Sequence, residues 1–446
     1  MRRRCARAAG VIAIFTLAAT VVPAQVPQGT DTFDAAWTII RNSHFDKTMN
    51  GLNWDAVRAE LEPRAAAATS NTELRAVIRD MLGRLGLSHF ALIASTIDSA
   101  AAGSDSGATE GGATPGFDVR LLGRDLIVTS VDRDVAAVHP GWKVIRFGSA
   151  SVDDLLRTML DPAPAPDGHD ARLQQVEAWR IAQTRLRGPE GSKLDVTFER
   201  GDGAAVAVAV PRRPERGQPV TVGNLPTMYV RVESERKRTP AGRTAGLIRF
   251  NVWMAAVDAP FQKFIDEYRA ADGVIIDLRG NPGGLAAMLM GISGHFVGER
   301  QVLGVMKTRE SEFKFAANPR LVSAAGERVA PFAGPVAILV DAMSGSASEC
   351  FTGGMQSIGR ARVFGQTSMG QALPALFDRL PNGDVMIHAY GDFVTADGTR
   401  LEGRGVVPDE PLPLTRADLL AGRDPPLDAA LAWIDRAQAA RKPQGP

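Results

Sequence analysis

Residues 344–350 read SGSASEC and follow the apolar run PVAILV at 335–340. A serine on a turn between a buried strand and a helix presents its hydroxyl at the strand's carboxyl end. Free amides of the next helical turn are then at hand for a developing oxyanion. Gly345 and Ala347 keep both sides of Ser346 uncrowded, which suits attack on a carbonyl. The same residues have a plain structural reading, because Ser346-x-x-Glu349 is also a capping box for a helix through CFTGGMQSIG.

Three other stretches carry groups that acyl transfer needs. In GVIIDLRGNPGGLAAM (273–288) a buried strand enters a turn free of side chains, so the amide of Gly283 or Gly284 can approach a reacting oxygen. No GK[ST] follows, which speaks against a phosphate loop. In GLSHFAL (86–92) the polar pair Ser88-His89 interrupts an apolar stretch at a domain edge. His44, His139, His169, His295 and His388 read instead as core or surface residues. In DGTRLEGRGVVPDEPL (397–412), Glu402 reads by itself as a solvated carboxylate or a partner of Arg404.

The elements that must position these residues follow from hydrophobic period. Residues 30–92 show helical spacing, with Asp or Asn starting each segment, and end in SHFALIA, an expected strand. Residues 98–114 are rich in Gly, Ala and Ser and read as a flexible linker. From 115 to 213 short β-type runs surround one helical piece, ARLQQVEAWRIAQTRL, which predicts a compact β-rich module. Beyond residue 214, TAGLIRF, GVIIDLR, PVAILVDA and ARVFGQT are near-continuous apolar strands separated by helices. This calls for βαβ crossovers and a mainly parallel α/β core.

Composition narrows the function classes. A basic start, an apolar run of about fifteen residues and small residues ending at Ala24 have the layout of a cleaved secretory signal, 1–24, rather than a permanent anchor. Its removal leaves 47 basic against 50 acidic residues, near −3, with no basic patch to favour nucleic acid. Cys5 lies in that signal and Cys350 stands alone, so no internal disulfide is expected. No His/Cys cluster has metal-ligand spacing, and neither a metal nor another cofactor is expected.

Taken together and in this order, the stretches resemble the C-terminal processing, or tail-specific, serine proteases and their tricorn-protease relatives. The resemblance implies a crotonase-like catalytic core over 214–446, a PDZ-like module over 115–213 and a helical N-terminal region over 25–97. It also implies Ser346 as nucleophile. The processing proteases take their base from a lysine in a T-x-G-K-G segment, and TSMGQA here puts Gln371 at that lysine's place. An amide is no base near neutral pH, so a lysine mechanism would need Lys307 or Lys314 to fold in. The tricorn branch instead implies His89 as general base, Ser88 as hydroxyl relay and Glu402 as supporting carboxylate. Gly283 or Gly284 with Ala347 would form the oxyanion hole, and Gly116-Phe117 would belong to a loop holding a peptide carboxylate. An unshifted imidazole base predicts a rate that falls below about pH 6.5. The expected function is endopeptidase action on protein or peptide substrates by a periplasmic or secreted protein. A peptide- or apolar-ligand-binding protein on the same scaffold, and a small-ester hydrolase, are the alternatives.

Overall fold

The computed structural model describes residues 29–95, 112–160, 168–222 and 227–441. The expected signal and residues 98–111 of the expected linker lie outside the described residues. The end of that linker is ordered, because Ala113–Thr114 pairs antiparallel with Arg213–Pro214.

Three helices open the chain: α1 (Gly29–Ser43), α2 (Trp54–Ala66) and α3 (Asn71–Gly83). Asn53 and Ser70 cap the second and third by accepting from the Ala56 amide (3.0 Å) and the Glu73 amide (3.2 Å). Their apolar faces share a core of Phe33, Trp37, Ile40, Leu61, Leu74 and Ile78. The expected strand over SHFALIA shrinks to β1 (Ala91–Ile93), because Ser88 and His89 stay in the turn before it, hydrogen-bonded elsewhere.

The β-rich module contains β2 (Phe117–Leu122), β3 (Asp125–Val131), β4 (Lys143–Phe147), α4 (Val152–Leu160), α5 (His169–Leu186), β5 (Lys193–Glu199) and β6 (Ala205–Pro211). The strands form one antiparallel sheet in the order β2-β3-β4-β5-β6. Alternation in β2 sends Phe117, Val119 and Leu121 inward. Helix α5 is the inserted helical piece, and it lies against β2 through Trp179 Nε1 and Gln183 Nε2, which donate to Asp118 Oδ1.

The main sheet is built from β7 (Val232–Arg238), β8 (Thr244–Phe250), α6 (Asp258–Glu267), β9 (Gly273–Asp277), α7 (Met288–Ser293), β10 (Val336–Val340), α8 (Ala347–Ser357) and β11 (Arg362–Gly365). Strands β8 to β11 are parallel neighbours, β7 is an antiparallel edge, and the short strand Glu410–Pro411 closes the far side. Every residue of β9 and β10 is buried. Ile276, Ile338 and Val340 face a core with Trp253, Phe261 and Phe351, whereas Ile275, Ala337 and Leu339 face Leu431 and Ile434. Both faces are covered, which is why these strands read as continuous apolar runs. The mixed α/β expectation therefore holds for this region.

Two strands, β12 (Ala375–Arg379) and β13 (Val385–Ala389), extend from the segment after Gln371 and join β1 in a sheet of order β1-β13-β12. A buried bidentate ion pair, Arg75 to Asp384 (2.8 and 2.7 Å), ties α3 to their turn. The N-terminal helices are thereby fastened to the same chain segment that borders Ser346. The last long helix, α9 (Pro425–Ala440), covers the second face of the main sheet. No helix among the described residues is long and apolar enough to cross a membrane.

Candidate active site

Parallel strands β9 and β10 end side by side, and each runs into a tight turn. After β10, Ser346 sits at φ 51°, ψ −116° at the head of α8. Among the described residues only four that are not glycine have positive φ: Met49, Asn50, His89 and Ser346. Two of the four are thus sequence-predicted site residues, and backbone strain of this kind persists only where surrounding contacts enforce it. The Ser346 amide donates to the Gln371 carbonyl (2.9 Å) and to the Glu349 carboxylate (3.0 Å). Ser346 is the one residue of 342–350 that is not buried. Its neighbours Ser344 and Ser348 are fully buried ties. Ser344 Oγ donates to the Leu278 carbonyl (2.8 Å) and Ser348 Oγ to the Asn281 carbonyl (3.0 Å).

The two glycines of the turn after β9 differ. Gly283, at φ +105°, lies so close to the nucleophile turn that an added Cβ would stand 2.6 Å from Ser346 Cβ and 3.0 Å from the Ala347 nitrogen. Its amide is already taken, donating to Asn281 Oδ1 (3.0 Å). Neither the Gly284 amide nor the Ala347 amide makes a hydrogen bond among the described residues. The open donors beside Ser346 are therefore Gly284 and Ala347, with Gly283 giving the close approach. Asn281 was not singled out from sequence, although its place between Gly280 and Pro282 in the turn was visible. It joins both turns, since Nδ2 donates to the Phe250 carbonyl (2.9 Å) and its own carbonyl accepts from the Gly345 amide (3.1 Å).

Ser88, His89 and Glu402 come together from opposite ends of the chain. Glu402 Oε1 accepts from the Ser88 amide (2.8 Å), and Oε2 accepts from Ser88 Oγ (2.9 Å) and the Ala372 amide (2.9 Å). The isolated surface carboxylate that the sequence allowed is therefore replaced by a buried, three-donor site. Because the Ser88 hydroxyl gives its proton to Glu402, Ser88 Oγ must accept from His89 Nδ1, 2.8 Å away. That fixes the tautomer with Nδ1 protonated and leaves the Nε2 lone pair free to take a proton. Burial pushes the His89 pKa down to about 4. The expected fall in rate near pH 6.5 from an unshifted imidazole is therefore displaced to lower pH.

No hydrogen bond runs between His89 and Ser346. One peptide unit separates the two groups of contacts. The Gln371 carbonyl accepts from Ser346, and the amide on the same plane, that of Ala372, donates to Glu402. Catalytic hydrogen bonds are commonly long without substrate and tighten in the complex. Neither lysine weighed from the sequence offers an obvious replacement base: Lys307 pairs with Glu312 at the surface (3.8 Å), and Lys314 is exposed.

Glu349 was legible only as half of a capping box. It is fully buried, and besides the Ser346 amide its carboxylate accepts from Ser368 Oγ (2.6 Å) and the amides of Gly370 (2.6 Å) and Gln371 (3.0 Å). Gly116 and Phe117 lie far along the chain from this cluster. Gly116 (φ +73°) precedes the module's edge strand, and Phe117 is its first residue with its ring in the core rather than part of a loop.

Comparison with known proteins adds to this geometry. Residues 244–412 match peptidase family S41, and residues 30–83 match the tricorn protease C1 domain. The chain carries a peptidase family S41 domain. It is 25% identical over 383 residues to the carboxyl-terminal-processing protease of Picosynechococcus sp., covering 85% of this chain and 82% of that one. It is also 25% identical over 415 residues to tricorn protease homolog 1 of Streptomyces coelicolor, covering 90% of this chain but 34% of that one. Among solved structures, the photosystem II D1 C-terminal processing protease superposes with a TM-score of 0.55 at 18% identity, over 87% of this chain and 94% of that chain. Mature CPAF superposes with 0.60 at 14% identity, over 93% and 98%. These likenesses bear on fold, while the S41 match and the processing-protease relative support serine-type peptidase activity. The S41 span contains Ser346, Glu349, Gln371 and Glu402, whereas Ser88 and His89 lie between the two matched regions.

Proposed function

We propose that this S41 protein is an exported endopeptidase that cleaves extended or unfolded polypeptide through an acyl-enzyme on Ser346, with His89 as its base. The observation that carries this reading is the chain of hydrogen bonds Glu402–Ser88–His89 beside a strained, accessible serine. Ser346 Oγ attacks the scissile carbonyl while its proton passes to His89 Nε2. The amides of Gly284 and Ala347 hold the oxyanion. As the C–N bond breaks, His89 returns the proton to the leaving amine, and water then hydrolyses the ester by the same route in reverse. Ser88 and Glu402 keep the tautomer and stabilise the imidazolium, a role that matters more here because burial disfavours the charged ring.

In this reading residues 214–446 form a crotonase-like catalytic unit, 115–213 a PDZ-like module and 25–97 the helical region that delivers the base. The export signal 1–24 directs the chain to the periplasm or beyond. Side chains of α5 occupy the space beside β2, so peptide binding at Gly116-Phe117 requires them to give way. Hydrolysis of an unfolded protein such as reduced casein is the test. Ser346→Ala is expected to abolish it, and His89→Ala to lower kcat by about 100-fold or more. Undiminished hydrolysis by Ser346→Ala refutes the reading, and tight casein binding without any cleavage by the parent protein favours a binding role.

A further inference from the structure

The carboxylate of Glu349 is the most heavily engaged buried acid next to Ser346, yet it has no part in the proton relay. Its four partners are all donors: the amides of Ser346, Gly370 and Gln371, and the hydroxyl of Ser368. The Ser368 oxygen is itself occupied by the Val406 amide (2.6 Å), so its proton has only Glu349 to go to. Every position around the carboxylate thus presents a hydrogen. An ionised Glu349 satisfies all four, whereas a protonated one sets its own O–H against an N–H or O–H.

The bonds also join two separate pieces of the site. Ser346 belongs to the turn after β10, and Gly370 and Gln371 belong to the segment whose next amide, Ala372, holds Glu402. Through Ser368 the same carboxylate reaches the turn at 401–406 that bears Glu402. Glu349 is therefore the fastening between the nucleophile's backbone and the support of the base.

We propose that Glu349 is a positioning residue whose ionised form holds Ser346 in its strained conformation, so that proton uptake by Glu349 releases the nucleophile's backbone and activity is lost. This rests on the serine-peptidase reading of Ser346.

The surroundings fit the idea. The neighbouring titratable and charged groups are Cys350 on α8, Glu402 and Arg404 on the stretch 401–406, His89 before β1, and His169 and Arg172 on α5, which lie against Gly370. Glu402 is turned to Ser88 and Ala372, and Arg172 donates to the carbonyls of Gly403 (3.2 Å) and Arg404 (2.9 Å). Burial raises the Glu349 pKa to about 7, against the lowering effect of its four hydrogen bonds. The ionised form is then lost as pH falls through neutrality, whereas burial moves the His89 imidazole in the opposite direction, to lower pH.

The test is the pH dependence, from pH 3.5 to 8.5, of Ser346 phosphonylation by a fluorophosphonate and of kcat on a peptide, for the parent, Ser368→Ala and Glu349→Gln. The parent should lose rate with a midpoint near 7. Ser368→Ala removes one bond to the charged form, so its midpoint should move up by about one unit. Glu349→Gln should lower kcat by on the order of 10- to 100-fold and abolish the limb near 7. If Glu349→Gln does not fold, as judged by near-UV circular dichroism, the parent and Ser368→Ala decide the matter. A parent midpoint near 4, or a limb near 7 unmoved by Ser368→Ala, overturns the proposal while leaving the nucleophile intact. No phosphonylation at any pH overturns the serine-peptidase reading itself.

Discussion

At Gly283 a single missing Cβ decides whether Ser346 can keep its conformation. An alanine there would meet Ser346 Cβ at 2.6 Å and the Gly345 carbonyl at 2.8 Å, from a backbone at φ +105° that L-residues avoid. Backbone rather than a flexible side chain is among the atoms in the way. Gly283→Ala should therefore lower kcat by at least about tenfold, a displacement effect, with KM changed much less; steady-state kinetics on a peptide will show it. Residue chemistry was partly legible from the sequence. Serine on a turn after a buried strand, glycines that bring a second turn close, and glutamine in place of a base are statements about residue type. What Glu349 does was not legible, because its four donors come from residues 346, 368, 370 and 371 and meet only when the turn and the later segment are folded together. The same holds for the choice between Gly283 and Gly284, which turns on the Asn281 side chain.

Among the elements, the turn after β9 is anchored by charge. Asp277, fully buried at the strand's end, accepts from Arg249 and Arg279, and Arg279 also reaches Asp424, the N-cap of α9, at 2.7 and 2.9 Å. The two guanidiniums outweigh the cost of burial and hold the Asp277 carboxyl far below its ordinary range. Its contribution to stability is therefore present above the unfolded pKa near 4 and is lost only as pH falls well below it. Arg279→Ala strips a buried charge of one partner and frees α9, and should cost about 3–5 kcal/mol, read as a lower midpoint in urea unfolding at pH 7. The apolar runs and their helical separators announced these strands, since two-sided burial leaves a continuous apolar signature. The ion cluster left no such trace, because Asp277 and Asp424 are far apart in sequence and each alone resembles an ordinary polar boundary residue. The SHFALIA strand was over-extended for a related reason: hydrogen bonds to Glu402 hold Ser88 in the turn.

Across the whole molecule, the candidate site is a junction of three regions. The N-terminal helices bring Ser88 and His89, the main sheet brings Ser346, and the stretch after residue 400 brings Glu402, which is 314 residues from Ser88. Helix α5 of the β-rich module closes over the junction, with Val176 packed on Met343 and Met369. No local pattern in the chain foretells this meeting, and only the resemblance of the ordered set of motifs suggested it. The central claim is that a base carried by the N-terminal region serves a serine 257 residues later in the chain, while Gln371 beside that serine is dispensable. The most direct measurement is the second-order rate of Ser346 phosphonylation at pH 8 in the parent, His89→Ala and Gln371→Ala. Gln371→Ala should stay within about tenfold of the parent, and His89→Ala should slow by about 100-fold or more. Labelling of His89→Ala at the parent rate, or loss of labelling in a folded Gln371→Ala, would contradict the central claim.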